Sequence, residues 1–216
     1  MDQATFEYYR DNVEDVFARY ESAGAGTGLL ARVFSSGQRV LDIGCGSGRD
    51  MSRLSILGVD VYGLEPVEAF RGLACRAHPE LEGRIFTGSL PNDIPKFPVE
   101  KFDGVLLSAV LMHIPDGGLS EAARAVRSLL TENGVLLVSI PTERDDLKDP
   151  SAGPDAAGEI RDDKGRLMML RPETGVRLLF ERLGFETQGR CLSSDSLMRD
   201  GVKWLSLVFR LRGGGA

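Results

Sequence analysis

The sequence predicts an α/β fold: a mostly parallel seven-stranded sheet, covered on both faces by helices in a three-layer sandwich, with an antiparallel last strand. Three observations predict it. Short apolar runs alternate with stretches of helical period, the first run ends in a glycine-rich turn, and the last two runs are joined only by a polar connection. The 216 residues, 42% hydrophobic and 27% charged, contain enough apolar material for one sizeable core, so 1–216 reads as one domain.

Phe6, Tyr9, Val13, Val16, Phe17 and Tyr20 recur at spacings of three and four, which predicts one amphipathic helix ended by the glycines of 24–28. Leu29–Phe34 reads as a second, short helix. Together they form an N-terminal helical cap over 1–36. The core, 37–141, then alternates. Arg39–Gly44 is a buried strand, Met51–Leu57 a helix, Val59–Leu64 a strand, Val67–Ala77 a helix and Ile85–Thr87 a short strand before the loop 91–98. Phe102–Val110 is a strand, Gly118–Leu130 a helix and Val135–Ile140 a strand. Such alternation implies right-handed crossovers and a parallel sheet buried on both faces.

Residues 142–170 are rich in Asp, Gly, Pro and Ala and too long for a plain connection, so they form either a surface loop or a lid. In 171–212, Pro172–Leu183 has proline in its first turn and Gly184 as its stop, as a helix does. Phe185–Cys191 and Lys203–Leu211 follow as strands, antiparallel neighbours at one sheet edge, and the glycines at 213–215 read as a frayed tail.

The net charge of -6 and pI near 5.1 give no overall field for phosphate backbones or anionic lipid. The apolar runs fall far short of the roughly 20 residues that span a bilayer, and Met1–Gln3 opens no signal sequence, so the expected location is cytoplasmic and off the membrane. Three cysteines at wide spacing with two histidines support neither disulfides nor a metal site. Cys75 and Cys191 read as small buried hydrophobes, and His78, in a polar turn, as a surface residue.

The turn after the first strand carries the chemistry. Glycines at 44, 46 and 48 allow a tight turn and close backbone approach to a ligand, below the N-terminal amides of the next helix. Glu65 ends the following strand, about 20 residues on, where a carboxylate can take both hydroxyls of a ribose. Loop and acid predict a nucleoside-containing cofactor. A dinucleotide fingerprint needs GxGxxG, and Arg49 stands where its third glycine would be, which disfavours a pyrophosphate and with it an oxidoreductase.

These residues resemble the class I, Rossmann-like S-adenosylmethionine-dependent methyltransferases. The resemblance rests on Val40–Arg49 (VLDIGCGSGR), Gly63–Pro66 (GLEP), Phe102–Ile114 (FDGVLLSAVLMHI) and Leu129–Pro141 (LLTENGVLLVSIP), in that order. It implies that Gly44, Cys45 and Gly46 approach the methionyl and ribose part of S-adenosylmethionine, that Asp42 binds its amino group and that Glu65 binds the ribose. It also implies Pro66 on the adenine, Ser89 and Leu90 at the adenine edge by backbone contact, and Ser108 and Ala109 beside the sulfonium.

His113, five residues past Ser108, falls at the sheet edge where an acceptor would sit; it reads equally as a general base or as a histidine bonded to a loop carbonyl. Arg49 either pairs with Asp50 or Asp42 or contacts the cofactor carboxylate. Tyr20 or Tyr9 is expected to touch cofactor or substrate. No Asn/Asp-Pro-Pro-aromatic sequence follows the fourth strand and no Pro-Cys occurs, so the expected acceptor is a small molecule rather than nucleic acid, although nucleic acid and protein stay open as alternatives. A cofactor-binding module without turnover is the competing class. Residues 1–150 hold 15 basic and 23 acidic side chains and 151–216 hold 11 and 9. Arg161, Lys164, Arg166 and Arg171 bunch near the expected lid; they are either a solvated face or the wall of a pocket for an anionic acceptor. Monomer and homodimer are equally open.

Overall fold

The computed structural model describes residues 1–23, 27–147 and 159–213. Seven strands form one sheet: β1 (Arg39–Ile43), β2 (Asp60–Leu64), β3 (Ile85–Phe86), β4 (Phe102–Ser108), β5 (Leu130–Arg144), β6 (Phe185–Ser194) and β7 (Val202–Leu211). Their order is β3-β2-β1-β4-β5-β7-β6, parallel from β3 to β5, with β7 antiparallel to both neighbours. Around them lie α1 (Gln3–Asp11), α2 (Val13–Ser22), α3 (Thr27–Val33), α4 (Arg49–Ile56), α5 (Glu68–Ala77), α6 (Asp116–Leu129) and α7 (Glu173–Glu181).

Strand periodicity sorts the core into two faces. Leu41, Ile43, Val105, Leu107, Leu136 and Val138 pack with Ala122, Val126, Val176 and Phe180 of α6 and α7. Their neighbours Val40, Leu106, Val135 and Leu137 pack on the opposite side with Leu30, Phe34, Met51 and Leu54 of α3 and α4. A third cluster joins Tyr9 and Val16 of the first two helices to Val67 and Phe70 around α5. Strand order reverses between β1 and β4, and at that switch point the carboxyl ends of the strands leave an open crevice.

Several boundaries differ from the sequence reading for identifiable reasons. The expected single N-terminal helix is two, because Asn12 (φ -121°) leaves helical geometry and its side chain donates to the Tyr8 carbonyl, 2.9 Å, in competition with the backbone ladder. Residues 24–26, assigned to its stop, lie outside the described residues, as do 214–216 of the expected tail. β5 begins at Leu130 rather than Val135. Phe102 pairs with Leu130 and Gly104 with Val135, so 131–134 bulge out of register, with Asn133 at φ 63°. Cys191 is exposed on edge strand β6, since apolar sequence neighbours on an edge strand do not imply cover, and Cys75, in α5, is half-buried. His78 is half-buried, its Nε2 3.1 Å from Glu21 Oε2.

Of the stretch 142–170, 142–144 continue β5, 145–147 form a 3-10 turn and 148–158 lie outside the described residues. Residues 159–170 run back against α1. No helix among the described residues is long and apolar enough to cross a membrane.

Gly104 exists for packing: a Cβ there would stand 2.5 Å from Cε1 of Phe34, itself buried. Gly104→Val should therefore cost about 1–3 kcal/mol by overpacking. Urea unfolding checks it. A variant as stable as the parent would mean that Phe34 does not fill this face.

Candidate functional site

The crevice is a cavity of about 430 Å³. Its floor is the glycine loop. Gly44 and Cys45 donate to the Leu64 carbonyl at 2.7 and 3.2 Å, which draws the loop across the end of β2. Gly44 and Gly46 have φ of 72° and 53°; a Cβ on Gly44 would meet Val110 Cγ2 at 2.8 Å, and one on Gly46 the Tyr20 ring at 3.4 Å. Glu65 fastens this floor: its two carboxylate oxygens accept from Gly46 N, 3.0 Å, and Val67 N, 2.9 Å. Burial raises its pKa to about 7, against the pull of those two amides.

Asp42 is buried and has no hydrogen-bond or ion-pair partner among the described residues, and it lines the cavity. Burial, then the nearby Asp50 and Glu65, push its pKa well up. Of the two acids expected as structural partners, Arg49 pairs with Asp50, Nε donating at 3.2 Å, and a terminal nitrogen donates to the Tyr20 carbonyl, 2.7 Å, which the sequence did not suggest; it still lines the cavity. At the end of β4, Ala109 has φ 59°, a strained conformation for a residue with a Cβ, and donates to the Ser139 carbonyl, 2.9 Å.

His113 lies in the 3-10 turn Leu111–His113, buried. Its Nδ1 is 2.7 Å from the Leu167 carbonyl, which can only accept, so Nδ1 carries the proton and Nε2 is the open lone pair. That lone pair faces the Tyr9 hydroxyl at 3.1 Å. Tyr9 oxygen in turn accepts from Arg166, 3.1 Å, and lies 3.5 Å from the Tyr20 hydroxyl. Burial chiefly, with repulsion from Arg166, lowers the His113 pKa to about 4, so the imidazole is neutral at physiological pH.

The segment 159–171 positions this group. Arg161 pairs with Asp2 at 2.9 and 3.0 Å, and Thr5 Oγ1 accepts from Leu167 N, 2.9 Å. Met169 N donates to the Met112 carbonyl, 2.9 Å, and Arg171 donates to the carbonyls of Leu111 and Ile114 and to Asp116. The four cations of this stretch thus divide. Arg171 and Arg161 tie the chain together, while Lys164 and Arg166 line the cavity. Arg166 and Arg171 are buried, unlike a solvated face.

Asp42, Gly44, Cys45, Gly46, Arg49, Glu65, Pro66, Ser89, Leu90, Ser108, Ala109, Tyr20 and His113 all stand on the wall of this one cavity. The sequence reading missed its far wall. Ser139 and Ser206, 2.8 Å apart across β5 and β7, reach it together with Arg144, Trp204 and the loop 193–199. Asp195 fixes that loop, accepting from Arg199 and from Trp204 Nε1, 2.8 Å each. A serine inside each of two apolar strands was the available signal.

A family model described as a methyltransferase domain matches residues 1–188. A ubiquinone biosynthesis O-methyltransferase of Bradyrhizobium diazoefficiens is 36% identical over 107 residues, 48% of this chain and 40% of that protein, so well under two thirds of that relative's length is matched. The solved Burkholderia thailandensis 1,6-didemethyltoxoflavin-N1-methyltransferase, with bound 1,6-didemethyltoxoflavin and S-adenosylhomocysteine, superimposes with a TM-score of 0.73 at 17% identity, covering 97% of this chain and 88% of its own. The [4+2]-cyclase SpnF matches at TM-score 0.70 and 15% identity over 96% of both chains. At these identities the solved structures show the shared fold.

The two shifted groups oppose each other in pH dependence. His113 is lowered from 6.5 to about 4, so between those values the unfolded chain holds a proton that the folded chain lacks. Its contribution to stability falls as pH drops through that window, by about 3 kcal/mol in all. Glu65 is raised from 4.5 to about 7 and does the reverse: its contribution is present below 4.5 and lost as pH rises toward 7. In urea unfolding, the stability of the parent relative to His113→Gln should therefore drop as pH falls from 6.5 to 4. A difference independent of pH would mean that His113 is not a buried neutral imidazole.

Proposed function

The chain belongs to the methyltransferase domain family, the S-adenosylmethionine-dependent class I enzymes, and from that premise we propose that it transfers the methyl group of S-adenosylmethionine to an oxygen or nitrogen of a small, anionic acceptor. One observation carries the reading. A single cavity joins the glycine loop and its two acids to a wall bearing His113, Lys164 and Arg166.

The residues fit the cofactor. Asp42 is a buried carboxyl without a hydrogen-bond partner, which suits an ammonium group; Gly44 and Gly46 leave room that a Cβ would take; Glu65 retains lone pairs for ribose hydroxyls. In this proposal Arg49 faces the methionyl carboxylate, Pro66, Ser89 and Leu90 the adenine, and Ser108 and Ala109 the methyl-bearing sulfur. The cofactor supplies an activated methyl group. The chain supplies position and dryness, which for an in-line displacement are the larger part of catalysis. His113 is the candidate base, neutral and therefore able to accept a proton. The same reading takes 1–216 as one cytoplasmic catalytic unit.

A binding module without turnover is the second reading, favoured by the Tyr9 hydroxyl that already occupies Nε2 of His113. The cyclase neighbour is a reminder that this fold serves more than one chemistry.

Calorimetry should find S-adenosylhomocysteine bound and nicotinamide dinucleotides not. Glu65→Gln should weaken that binding by about 1.5–3 kcal/mol, the worth of hydrogen bonds to a charged acceptor. Glu65→Ala is a poorer test, since it leaves both the Gly46 and Val67 amides without their acceptor, where Gln keeps an oxygen for one of them. Tight dinucleotide binding with none of S-adenosylhomocysteine would overturn the assignment. Wild-type affinity in Glu65→Gln would remove Glu65 from the ribose.

A further inference from the structure

Arg166 is buried, lines the cavity and is incompletely used. Nε and one terminal nitrogen donate to Asp162 Oδ2 at 2.9 and 2.6 Å, and the other terminal nitrogen donates to Tyr9 at 3.1 Å. A guanidinium has five N–H groups, which leaves two with no partner among the described residues. The mount is rigid: Asp162 Oδ1 also accepts from Arg166 N and Lys164 N, and Asp162 N donates to the Arg166 carbonyl. Tyr8 and Tyr9 pack against the guanidinium at 4.7 and 5.5 Å. Burial works against its charge, and Tyr9 and Asp162 outweigh it, so Arg166 stays cationic.

We propose that Arg166, Tyr9 and His113 form an anion-reading catalytic corner: an anionic oxygen of the acceptor docks on the two open N–H groups of Arg166, and the nucleophile's proton passes through the Tyr9 hydroxyl to Nε2 of His113. This rests on the methyltransferase reading and names the substrate class of its site. It also removes the objection that Tyr9 blocks His113, because Tyr9 becomes the relay. The bonds balance. The nucleophile's X–H bond breaks, its electron pair forms the bond to the methyl carbon, and the carbon–sulfur pair returns to sulfur. The proton goes to the Tyr9 oxygen, on the lone pair that the long 3.5 Å contact from the Tyr20 hydroxyl gives up, as the Tyr9 proton goes to His113, so the positive charge of the sulfonium ends on the imidazole.

The anion matters to the base as well as to binding. The charged and titratable groups around His113 are Tyr9 and Asp2 from α1, and Asp162 and Arg166 from 159–171, with Tyr20 of α2 beyond Tyr9. Of these only Arg166 repels an imidazolium. An anion on Arg166 cancels that repulsion and raises the His113 midpoint while burial, the larger cause of its lowering, stays, so a correct acceptor strengthens its own base and a neutral analogue leaves it unchanged.

Benzenesulfonate and benzenesulfonamide are a matched pair that differ in charge and little in shape, and the sulfonate stays anionic through the range in which His113 titrates. Binding of each, by NMR titration with and without S-adenosylhomocysteine, should favour benzenesulfonate by roughly tenfold or more. Benzenesulfonate should raise the His113 titration midpoint by about one pH unit, and benzenesulfonamide should leave it in place. Arg166→Gln should abolish the preference and Arg166→Lys should keep part of it. Should Arg166→Gln fail to fold with Asp162 left buried and unpaired, Asp162→Asn with Arg166→Gln removes both charges, and the wild-type His113 titration needs no variant. Equal binding of the two probes, or a His113 midpoint that benzenesulfonate does not move, overturns the proposal. S-adenosylhomocysteine binding, measured separately, reports on the methyltransferase reading and can succeed while the anion corner fails.

Discussion

The carboxyl of Glu65 is the tie on which the cavity depends. Accepting from Gly46 and Val67, it joins the loop after β1 to the start of the chain after β2, at the place where strand order reverses. The Leu64 carbonyl, which accepts from Gly44 and Cys45, is the loop's other link to β2 among the described residues. Two consequences follow. The glycine amides are held in the conformation in which a ligand can approach them, and a second acid, Asp42, is sealed into the same low-dielectric floor. Burial raises the midpoints of both carboxyls, and Asp50 and Glu65 add to the rise at Asp42. On the proposed reading, a ligand with an ammonium group and a ribose would offset the cost of that burial.

The buried acids Asp42 and Glu65 lie at the glycine loop beside Arg49 and Asp50, while Lys164 and Arg166 lie with Asp163 on the wall that carries His113. On the proposed reading, a cationic methyl donor and an anionic acceptor in this one cavity would be drawn toward each other in a medium where such attractions are little screened. Neutralising both as the methyl moves is the direction such a field favours, and it leaves the protein little to do besides position and dry the partners.

The floor was legible in the sequence because it is local. Val40–Arg49 and Glu65 sit within one strand-turn-helix-strand unit, where glycine spacing and a strand-end acid carry their own geometry. The basic wall was only half legible: the cluster of cations was visible as either a solvated face or a pocket wall, but its assembly was not, because it joins segments about 160 residues apart, where Asp2, Thr5 and Tyr9 meet Arg161, Leu167 and Arg166. Periodicity alone placed Tyr9 in a helix and left Arg166 in a loop. The hairpin loop 193–199 escaped for a related reason, since Asp195 organises it through Arg199 and Trp204, contacts that no spacing rule anticipates. Cys191 failed in the other direction: a strand-like sequence said nothing about which strand would be at the edge.

The turn that carries His113 is constrained from both ends, by β5 on one side and by the strap 159–171 on the other, and this sets how the imidazole is aimed. On one side Ala109 takes a strained positive φ, of order 1 kcal/mol or more for a residue with a Cβ, and is held there by the Ser139 carbonyl. On the other side Arg171, buried, gathers the carbonyls of Leu111 and Ile114, and Met169 takes that of Met112. Backbone groups that a short turn leaves without partners are thereby satisfied by the strap rather than by water. The imidazole itself is pinned at Nδ1 by Leu167, from the same strap. Its tautomer is therefore set by residues 159–171, and its Nε2 lone pair is left to the Tyr9 hydroxyl of α1. On the proposed reading, a chain with the same glycine loop and a different strap would keep the cofactor floor and lose the aim of His113, which would make the strap the chief determinant of the acceptor.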